Sequence, residues 1–437
     1  MSSTKFAFHT LGCKLNFAES TAIGRKLKNE GLLEVSFNEK SDLYIINSCS
    51  VTENADKECA YWVRKAKRQA PESKVLVIGC YAQLKPNSII NIPGVDAVLG
   101  ANEKFNIHSW LDRILAKEGE LVGACDIQDV GDFHEAYSLG ERTRSFLKVQ
   151  DGCDYSCAFC TIPLARGKSR SDNLENVLNN AKVLVEKGVK EIVLTGINLG
   201  DYGKGLSGGK GKELKFIDLL KSLDQLPGLE RVRISSIEPN LLEDDIIELV
   251  SVSNNIVPHF HIPLQSGSDR ILKKMKRRYL TKLYKNRIEK IKRLMPHCCI
   301  GVDVIVGFPG EDNEAFKETY HFLKDLPISY LHVFTYSERN NTKAIEMGGV
   351  VPKSIRKERS QMLRILSDKK RRQFYEDSLK SRRPILFEDK VKNAYLEGWS
   401  DNYVKVVAPY DKALINSIVY AELKAIDSEG RVEANLV

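Results

Sequence analysis

Apolar runs of strand length alternate with amphipathic segments of helix length in the first third of the chain. The runs cover residues 6–11, 42–47 and 74–79, and the segments 16–30 and 54–69 between them carry apolar residues at helical spacing. Strands that alternate with helices in this way predict a parallel sheet covered by helices. We therefore expect an N-terminal parallel α/β domain that ends near residue 140.

The same alternation restarts near Thr143 and continues to about Tyr336. Six strand-like runs lie there, separated by segments of helix length: residues 145–149, 191–195, 231–235, 259–263, 301–307 and 330–334. Six βα units of this kind predict an open or partial barrel whose strand-end loops form the active face. A long polar, helix-prone segment follows at 352–379, and we expect this central domain to span residues 141–378.

The last part of the chain has a different pattern. Short β-rich runs at 385–387, 403–407 and 417–423 alternate with turn signals, with no helix signal between them. This pattern predicts a small antiparallel β-barrel over residues 379–437. Barrels of this size often bind RNA, although composition alone also allows a β-rich structural appendage.

Composition is that of an ordinary globular protein. The 437 residues are 42% hydrophobic and 28% charged, which is enough chain for two or three domains. No apolar run reaches the length of a membrane span, and the opening MSSTKFAFHT lacks the apolar stretch of a secretory signal. We therefore expect a cytoplasmic protein without membrane contact, whose thiols stay reduced.

Positive charge is concentrated in two segments, although the formal net charge is only +8. Twelve Lys and Arg residues stand between Arg270 and Arg293 with a single acid, and twelve stand between Lys353 and Arg383 with four acids. Such local excesses suggest a polyanionic partner, with nucleic acid as the first candidate. The alternative is a pair of solvated helix surfaces.

The run DGCDYSCAFCTIP places Cys153, Cys157 and Cys160 at C-x3-C-x2-C spacing. Three thiolates can hold three corners of a cubic iron–sulfur cluster, whereas an electron-transfer cluster takes four. The fourth iron would stay open, and open metal positions are where chemistry usually occurs. Structural zinc, a ferredoxin site and disulfides are the alternatives. They fit less well because no histidine lies nearby, the spacing differs and the thiols should be reduced.

Three more cysteines each follow a strand of the N-terminal domain. Cys13, Cys49 and Cys80 come one or two residues after the three predicted strands. The carboxyl ends of parallel strands form one edge of the sheet, where ligands bind. The three cysteines should therefore converge as a second three-thiolate site. The alternative is three small buried residues, since cysteine is often buried.

The motifs resemble, in order, those of the radical S-adenosylmethionine (radical SAM) methylthiotransferase family. TLGCKLNFAES, INSCSVTENADKE and VIGCYAQ resemble the cysteine blocks of its N-terminal domain. PLARGKSRS, LTGIN, SSIEP, HIPLQSGSD and GVDVIVGFPGE resemble its central domain, a TIM-like partial barrel, and SDNYVKV is similar to its C-terminal TRAM domain. The resemblance covers essentially the whole chain. Softer features, among them GCKLN and ARGKSRS, are closest to the subfamily that acts on N6-threonylcarbamoyladenosine at tRNA position 37.

This resemblance implies two 4Fe–4S clusters and SAM as cofactors. The open iron of the cluster on Cys153, Cys157 and Cys160 would bind SAM, and one electron from a donor would then yield a 5′-deoxyadenosyl radical. The second cluster would carry or deliver sulfur from an external or cluster source. One SAM would methylate that sulfur, and a second would supply the radical that activates carbon 2 of the adenine. No side chain is expected to act as a catalytic acid or base.

The resemblance also implies ligand-binding residues. The SAM pocket would be lined by Phe159, Thr195, Gly196, Ser235, Ser236, Glu238, Gln265 and Gly307. The alternative for each residue alone is an ordinary structural role in the loop that follows a strand. The tRNA anticodon loop would meet basic residues of both charged segments, namely Lys276, Arg277, Arg278, Arg371 and Arg372. The edge of the SAM pocket is a rival assignment for Arg277.

Three alternatives to the leading hypothesis stay open at this point. Within the same chemistry, the substrate could be isopentenyladenosine tRNA or an aspartate of a ribosomal protein. From another class, the chain could be a non-catalytic iron–sulfur protein that binds RNA or transfers electrons. The missing fourth cysteine at both sites favours open irons, and therefore catalysis. Packing is favoured for Cys59 and for Cys298 and Cys299, which match no motif.

Overall fold

The structure is a computed structural model of the chain, and it describes residues 4–49, 53–116, 119, 121–140, 143–206 and 214–436. Three parts follow one another along the chain: a sheet covered by helices, a partial barrel, and a small closed barrel. The α/β fold class expected from the sequence is confirmed.

The N-terminal sheet has six strands in the order β2-β1-β3-β4-β5-β6, and every neighbouring pair is parallel. The strands are β1 (Lys5–Thr10), β2 (Leu33–Glu34), β3 (Leu43–Ser48), β4 (Lys74–Gly79), β5 (Ala97–Leu99) and β6 (Leu121–Gly123). The helices are α1 (Lys14–Asn29), α2 (Glu53–Gln69), α3 (Cys80–Leu84), α4 (Pro86–Ile90) and α5 (His108–Ala116). The three strands expected from the sequence are present. The other three are only two or three residues long, too short to give a periodic signal.

Both faces of this sheet are buried, which explains why its strands read as continuous apolar runs. Tyr44 and Ile46 of β3 pack on one side in a core shared with α2, whereas Leu43 and Ile45 pack on the other side with α1 and α5. Cys59 of α2 belongs to the first core and is fully buried. Packing is therefore the role of this cysteine, as expected.

The central domain is a partial barrel of six parallel strands, as predicted. They are β8 (Arg144–Lys148), β11 (Glu191–Thr195), β12 (Arg231–Ile234), β13 (His259–His261), β14 (Cys299–Val306) and β15 (Tyr330–Thr335). Regular parallel pairing joins β8 to β11 to β12 and β13 to β14 to β15, and isolated parallel bridges join the two groups. A short strand, β7 (Ala136–Tyr137), pairs antiparallel with β8, and β9 (Gln150–Asp151) pairs with β10 (Arg170–Ser171) beside the barrel.

Helices cover the outside of these strands over one large apolar core. They are α7 (Leu174–Glu186), α8 (Phe216–Asp224), α9 (Asp244–Val252), α10 (Asp269–Lys274), α11 (Thr281–Leu294), α12 (Asn313–Asp325) and α13 (Lys353–Ser378). The short helix α6 (Ile162–Arg166) lies instead against α3 of the N-terminal domain. Alternate strand residues such as Ile192, Val232 and Val302 belong to this core. The residues between them face the barrel interior, because side chains alternate along a strand.

The C-terminal part is a closed five-stranded barrel in the order β16-β17-β18-β20-β19. Its strands are β16 (Arg382–Lys392), β17 (Tyr395–Ser400), β18 (Lys405–Pro409), β19 (Ile418–Ile426) and β20 (Val432–Leu436). The expected small antiparallel barrel is confirmed: four of its pairs are antiparallel, and a short parallel pairing of β18 with β20 closes it. The strands β17 and β20 had no distinct signal in the sequence.

Arginines at the amino-terminal ends of the partial-barrel strands hold the small barrel in place. Arg231 donates to the carbonyl oxygens of Pro384 (2.5 Å) and Trp399 (3.2 Å). The Nε of Arg144 lies 2.9 Å from Glu388 Oε1. The C-terminal barrel therefore closes the end of the partial barrel that is opposite its strand-end loops.

The expected domain boundary between residues 140 and 141 falls beside residues 141–142, which are outside the described residues. Strand β7 precedes that boundary and yet pairs within the central sheet. The expected second boundary, after residue 378, coincides with the end of α13. Within the described ranges, no helix is both long and apolar enough to span a membrane.

We predict a large stability loss for Gly152→Ala, at the glycine between β9 and the cysteine loop. Gly152 has a φ of 67°, and an added Cβ would lie 1.9 Å from the carbonyl oxygen of Lys168. The positive φ alone costs about 1–2 kcal/mol, and displacing the neighbouring backbone adds about 1–3 kcal/mol. The matched control is Gly188→Ala, with a φ of 81° and no described atom within 4 Å of an added Cβ. Equal shifts of the urea midpoint in the two variants would contradict the steric argument.

Candidate functional site

Cys13, Cys49 and Cys80 lie at one edge of the N-terminal sheet, as the topology argument predicts. Cys13 caps α1 after β1, Cys49 follows β3, and Cys80 begins α3 after β4, and these three strands are adjacent. A Cβ added to Gly12 would lie 2.8 Å from Cys49 Sγ, so the Cys13 loop passes directly against Cys49. Cys80 in turn is close enough to raise the pKa of Cys13.

The first of these thiols has a buried cation as a neighbour. Cys13 is exposed to solvent, yet enough protein surrounds its sulfur that desolvation raises the pKa of the thiol, and Arg166 opposes that rise. Thiolate is the form that binds metals. The buried cation of Arg166 therefore favours the thiolate of Cys13, which is the form that would bind a metal.

The other three cysteines lie in the loop between β9 and α6, and each sulfur accepts a hydrogen bond. The donors are Tyr155 N to Cys153 Sγ (3.4 Å), Arg277 Nη1 to Cys157 Sγ (3.1 Å) and Ile162 N to Cys160 Sγ (3.5 Å). Burial raises the pKa of Cys153 to about 11 and that of Cys160 to about 12, with neighbouring thiols contributing in both cases. Hydrogen bonds to cluster sulfurs set reduction potentials, so this donor set fits an iron–sulfur centre.

Several expected SAM-pocket residues lie at carboxyl ends of the barrel strands. Thr195 and Gly196 end β11, Ser235 and Ser236 follow β12, and Gly307 follows β14. Buried Gln150 holds the first of these loops, because its Oε1 accepts from Ile197 N (2.9 Å) and Asn198 N (2.8 Å).

One pocket residue is left with an unmet hydrogen-bonding group. Gln265 has a φ of 67°, uncommon for a non-glycine residue. Its buried Oε1 has no hydrogen-bond partner among the described residues. A buried polar atom without a partner is costly, so this position suits a polar ligand such as SAM.

Two expected pocket residues have other neighbours. Phe159 packs against Phe308, with ring centroids 6.3 Å apart. A Cβ at Gly307 would lie 2.3 Å from Cγ of Arg356, so this glycine makes room for the protein's own side chain. For these two positions, direct contact with SAM stays a prediction.

Arg277 does not fit the expected phosphate contact. Its side chain is 4% exposed, and it is bonded to Glu238, to Cys157 and, at 3.1 Å, to the hydroxyl of Tyr279. Arg277 thus lies beside the cysteine loop and Glu238, and its rival assignment to the edge of the SAM pocket stays a prediction. The sequence could not reveal this because Glu238 and Cys157 are distant along the chain.

The other expected tRNA contacts are exposed. Arg278 stacks over the ring of Tyr155, 3.8 Å from its centroid, at the rim of the cysteine loop, and Lys276 is exposed beside it. Arg371 and Arg372 lie on α13 in surface pairs with Asp368 (2.7 Å) and Glu376 (2.8 Å).

Acidic residues from other parts of the chain neutralise several cations of the two basic segments. In the first segment, Arg270 pairs with Asp312 at 2.6 Å, while Arg287 and Lys290 both pair with Asp244 of α9. In the second, Arg359 is buried against Glu311 at 2.8 Å. Part of the charge excess therefore holds helices together, which the sequence alone did not indicate.

A buried network of charged side chains lies between the two cysteine sets. Its centre is Arg166 at the end of α6, which contacts Glu19 Oε1 and Asp151 Oδ1, both at 3.0 Å. Four cations and two carboxylates make up the network: Lys104, Lys148, Arg166, Arg170, Glu19 and Asp151. The thiols of Cys13 and Cys80 raise the pKa of Arg166 as further partners. A surplus of buried cations beside cysteines favours thiolates there.

Polar groups also line the interior of the partial barrel. Arg233 and Glu191 form two buried hydrogen bonds of 2.7 and 3.1 Å, and this contact lowers the pKa of Glu191 to about 2. Asp303 accepts from His261 Nε2 at 2.8 Å, and His332 Nδ1 lies 3.4 Å from the same oxygen. These residues alternate with core residues along β11 to β15. The sequence signal that could have revealed this arrangement is the recurrence of polar residues between the apolar residues of these strands.

Comparison with known proteins agrees with this geometry. Residues 147–323 match the radical SAM superfamily, and residues 5–100 match a family described as uncharacterized protein family UPF0004. Among solved structures, the radical S-adenosylmethionine methyltransferase TsrM from Kitasatospora setae, with cobalamin and a 4Fe–4S cluster bound, superposes with a TM-score of 0.55. The match has 14% identity and covers 79% of this chain and 77% of TsrM, so it concerns the fold alone. The partial barrel and its three-cysteine loop thus define a radical SAM protein.

Curated relatives match at higher identity. The threonylcarbamoyladenosine tRNA methylthiotransferase MtaB of Bacillus subtilis (strain 168) is 40% identical, over 95% of this chain and 93% of its own. The MtaB of Aquifex aeolicus (strain VF5) is 39% identical over 92% and 96%. The tRNA-2-methylthio-N(6)-dimethylallyladenosine synthase of Protochlamydia amoebophila (strain UWE25) is 34% identical over 83% and 81%. The chain belongs to the radical SAM methylthiotransferase family.

We predict that Arg166→Met destabilises the protein by about 3–5 kcal/mol, because it removes one of the two network cations, with Lys148, that contact both buried carboxylates. Arg371→Met is the matched control. It removes an Arg that is 51% exposed and paired at the surface, and should cost no more than about 1 kcal/mol. The measurement is the free energy of unfolding in urea. Similar losses in both variants would contradict a central role for the buried network.

Proposed function

We propose that this protein inserts a methylthio group at carbon 2 of N6-threonylcarbamoyladenosine at tRNA position 37. The observation that carries the proposal is the near-full-length similarity to four relatives named as MtaB enzymes for this base, at 35–40% identity. Relatives named for dimethylallyladenosine are 30–34% identical. A tRNA substrate also supports the expected cytoplasmic location.

The two cysteine sets supply what this reaction needs. Cys153, Cys157 and Cys160 would hold one 4Fe–4S cluster, and Cys13, Cys49 and Cys80 a second. Three thiolates leave one iron of each cluster without a cysteine ligand. When bound, the clusters and SAM supply the radical, the sulfur and the methyl group. An electron donor and a sulfur source are further requirements.

The chain's own groups bind and orient these components. Gln265 and Glu238, both partly buried, offer polar oxygens at the strand ends, and Arg277 bonds to both Glu238 and Cys157. SAM bound there would lie beside the cysteine loop. The partial barrel surrounds this space, which favours exclusion of water from a radical.

We infer that tRNA approaches the cysteine-loop rim and the groove beside the C-terminal barrel. Arg278 and Lys276 lie on the rim, and Arg371 and Arg372 line the groove. The groove also contains Trp399, Tyr403 and Lys405. Cations bind phosphates, and aromatic rings stack on unpaired bases.

The test is reconstitution with iron, sulfide, SAM and dithionite, followed by mass spectrometry of tRNA that carries threonylcarbamoyladenosine. We expect methylthio product and about eight irons per chain, from two four-iron clusters. Replacing Cys153, Cys157 and Cys160 with Ala should halve the iron and abolish release of 5′-deoxyadenosine. Replacing Cys13, Cys49 and Cys80 with Ala should also halve the iron but leave that release, without methylthio product.

Cys125→Ala is the matched control, since Cys125 belongs to neither set, and it should keep both iron and product. Product only on isopentenyladenosine tRNA or on a ribosomal-protein aspartate would overturn the proposed substrate. Two intact clusters without any 5′-deoxyadenosine would indicate a non-catalytic iron–sulfur protein instead.

A further inference from the structure

Three side chains that can bind metals lie on one face of the sheet formed by β13, β14 and β15. Asp303 pairs in register with His332 of the next strand, and His261 pairs with Gly301, two residues before Asp303. Residues two apart on a strand share a face, and so do paired residues on neighbouring strands. The sheet itself therefore brings His261, Asp303 and His332 together.

The ligand atoms of these side chains are close enough to share one ion. His261 Nε2 lies 2.8 Å and His332 Nδ1 lies 3.4 Å from Asp303 Oδ1. One ligand atom from each of the three residues lies within 4.8 Å of the other two. A tetrahedral zinc ion with bonds of about 2.0–2.1 Å holds its ligand atoms about 3.3 Å apart. Both measured separations from Asp303 are near that value, and the two imidazoles need only approach each other to complete the set.

Asp303 differs from the interior carboxylate of Glu191 in the charge of its partners. Glu191 makes two hydrogen bonds with Arg233. Over the ranges that the structure describes, no Lys or Arg lies within ion-pair distance of Asp303, whose partners are the two imidazoles. Neutral imidazole is the commonest metal ligand in proteins. A divalent cation would supply the positive charge that a carboxylate in a protein interior requires.

We propose that His261, Asp303 and His332 form a binding site for a divalent transition-metal ion, with Zn²⁺ as the occupant. Two imidazoles and one carboxylate are the ligands of a class of zinc sites that keep one position open. The same ligand types bind iron(II), but that ion takes three further ligands, whereas zinc needs only one. The inference goes beyond the proposed function and does not rest on it, because the site uses none of the six cluster cysteines.

His332 gives the site a route to solvent. Its side chain is 51% exposed, and it lines the groove beside the C-terminal barrel together with Arg371 and Arg372. An ion held by His332 would enter from this groove, and a water molecule would fill its fourth position. The bound ion would join three strands of the partial barrel and add positive charge at the wall of the groove.

The test is zinc binding by the protein with both iron–sulfur clusters in place, so that the cluster cysteines are occupied. Equilibrium dialysis and metal analysis should give about one zinc per chain with the iron content unchanged. Asp303→Asn keeps the size of the side chain and still accepts from His261. It should weaken zinc binding by about 100-fold or more, since loss of a mere hydrogen-bond partner of a metal ligand already costs about 10- to 100-fold.

His332→Ala should weaken zinc binding as Asp303→Asn does. The matched control is His321→Ala, at an exposed histidine of α12 outside the site, and it should bind zinc as the wild type does. Zinc should also raise the melting temperature of the wild type and of the control, but not that of the two site variants.

Wild-type protein that takes up no zinc from about a tenfold excess of the ion would overturn the proposal. Equal zinc binding by the wild type and the site variants would overturn it too, as would zinc uptake only with loss of iron, which would indicate binding by the cysteines. If the site variants do not fold, anomalous scattering at the zinc absorption edge from wild-type crystals decides. A peak bonded to the three side chains supports the site, and a peak only elsewhere overturns it.

Discussion

The contact on which this structure most depends is the buried pairing of Arg166 with Glu19 and Asp151. Glu19 belongs to the N-terminal sheet domain, whereas Asp151 and Arg166 flank the cysteine loop of the partial barrel. Charges are costly to bury unless they are fully paired, so the two domains can approach only in the arrangement that satisfies all of them. One geometric condition thereby fixes the position of one cysteine set relative to the other.

Strand periodicity separates the helix-facing core of the partial barrel from the charged residues of its interior. Ile192 and Val232 face the helices, while their neighbours Glu191 and Arg233 face the interior. Each strand thus contributes apolar residues to the helix-covered core with one face and charged residues to the interior with the other.

The sequence predicts features that depend on local spacing, and it misses those that depend on pairing across the fold. The triplet at Cys153 is visible because its members are neighbours, and Cys13 could be assigned because strand ends of a parallel sheet converge. Nothing local marks Arg166 as a shared partner of two domains. Arg277 was expected at a phosphate for the same reason: its true neighbour, Glu238, is distant along the chain.

The attachment of the C-terminal barrel also fixes distances within the molecule. Arg231 and Arg144 hold it directly against the amino ends of the barrel strands, so side-chain contacts, and not only the chain connection, set its position. An RNA bound to this barrel would therefore have its bound part at a fixed position relative to the two cysteine sets. The nucleotide that reaches the cysteine sets would then be selected by its distance along the RNA arm from the part that is bound.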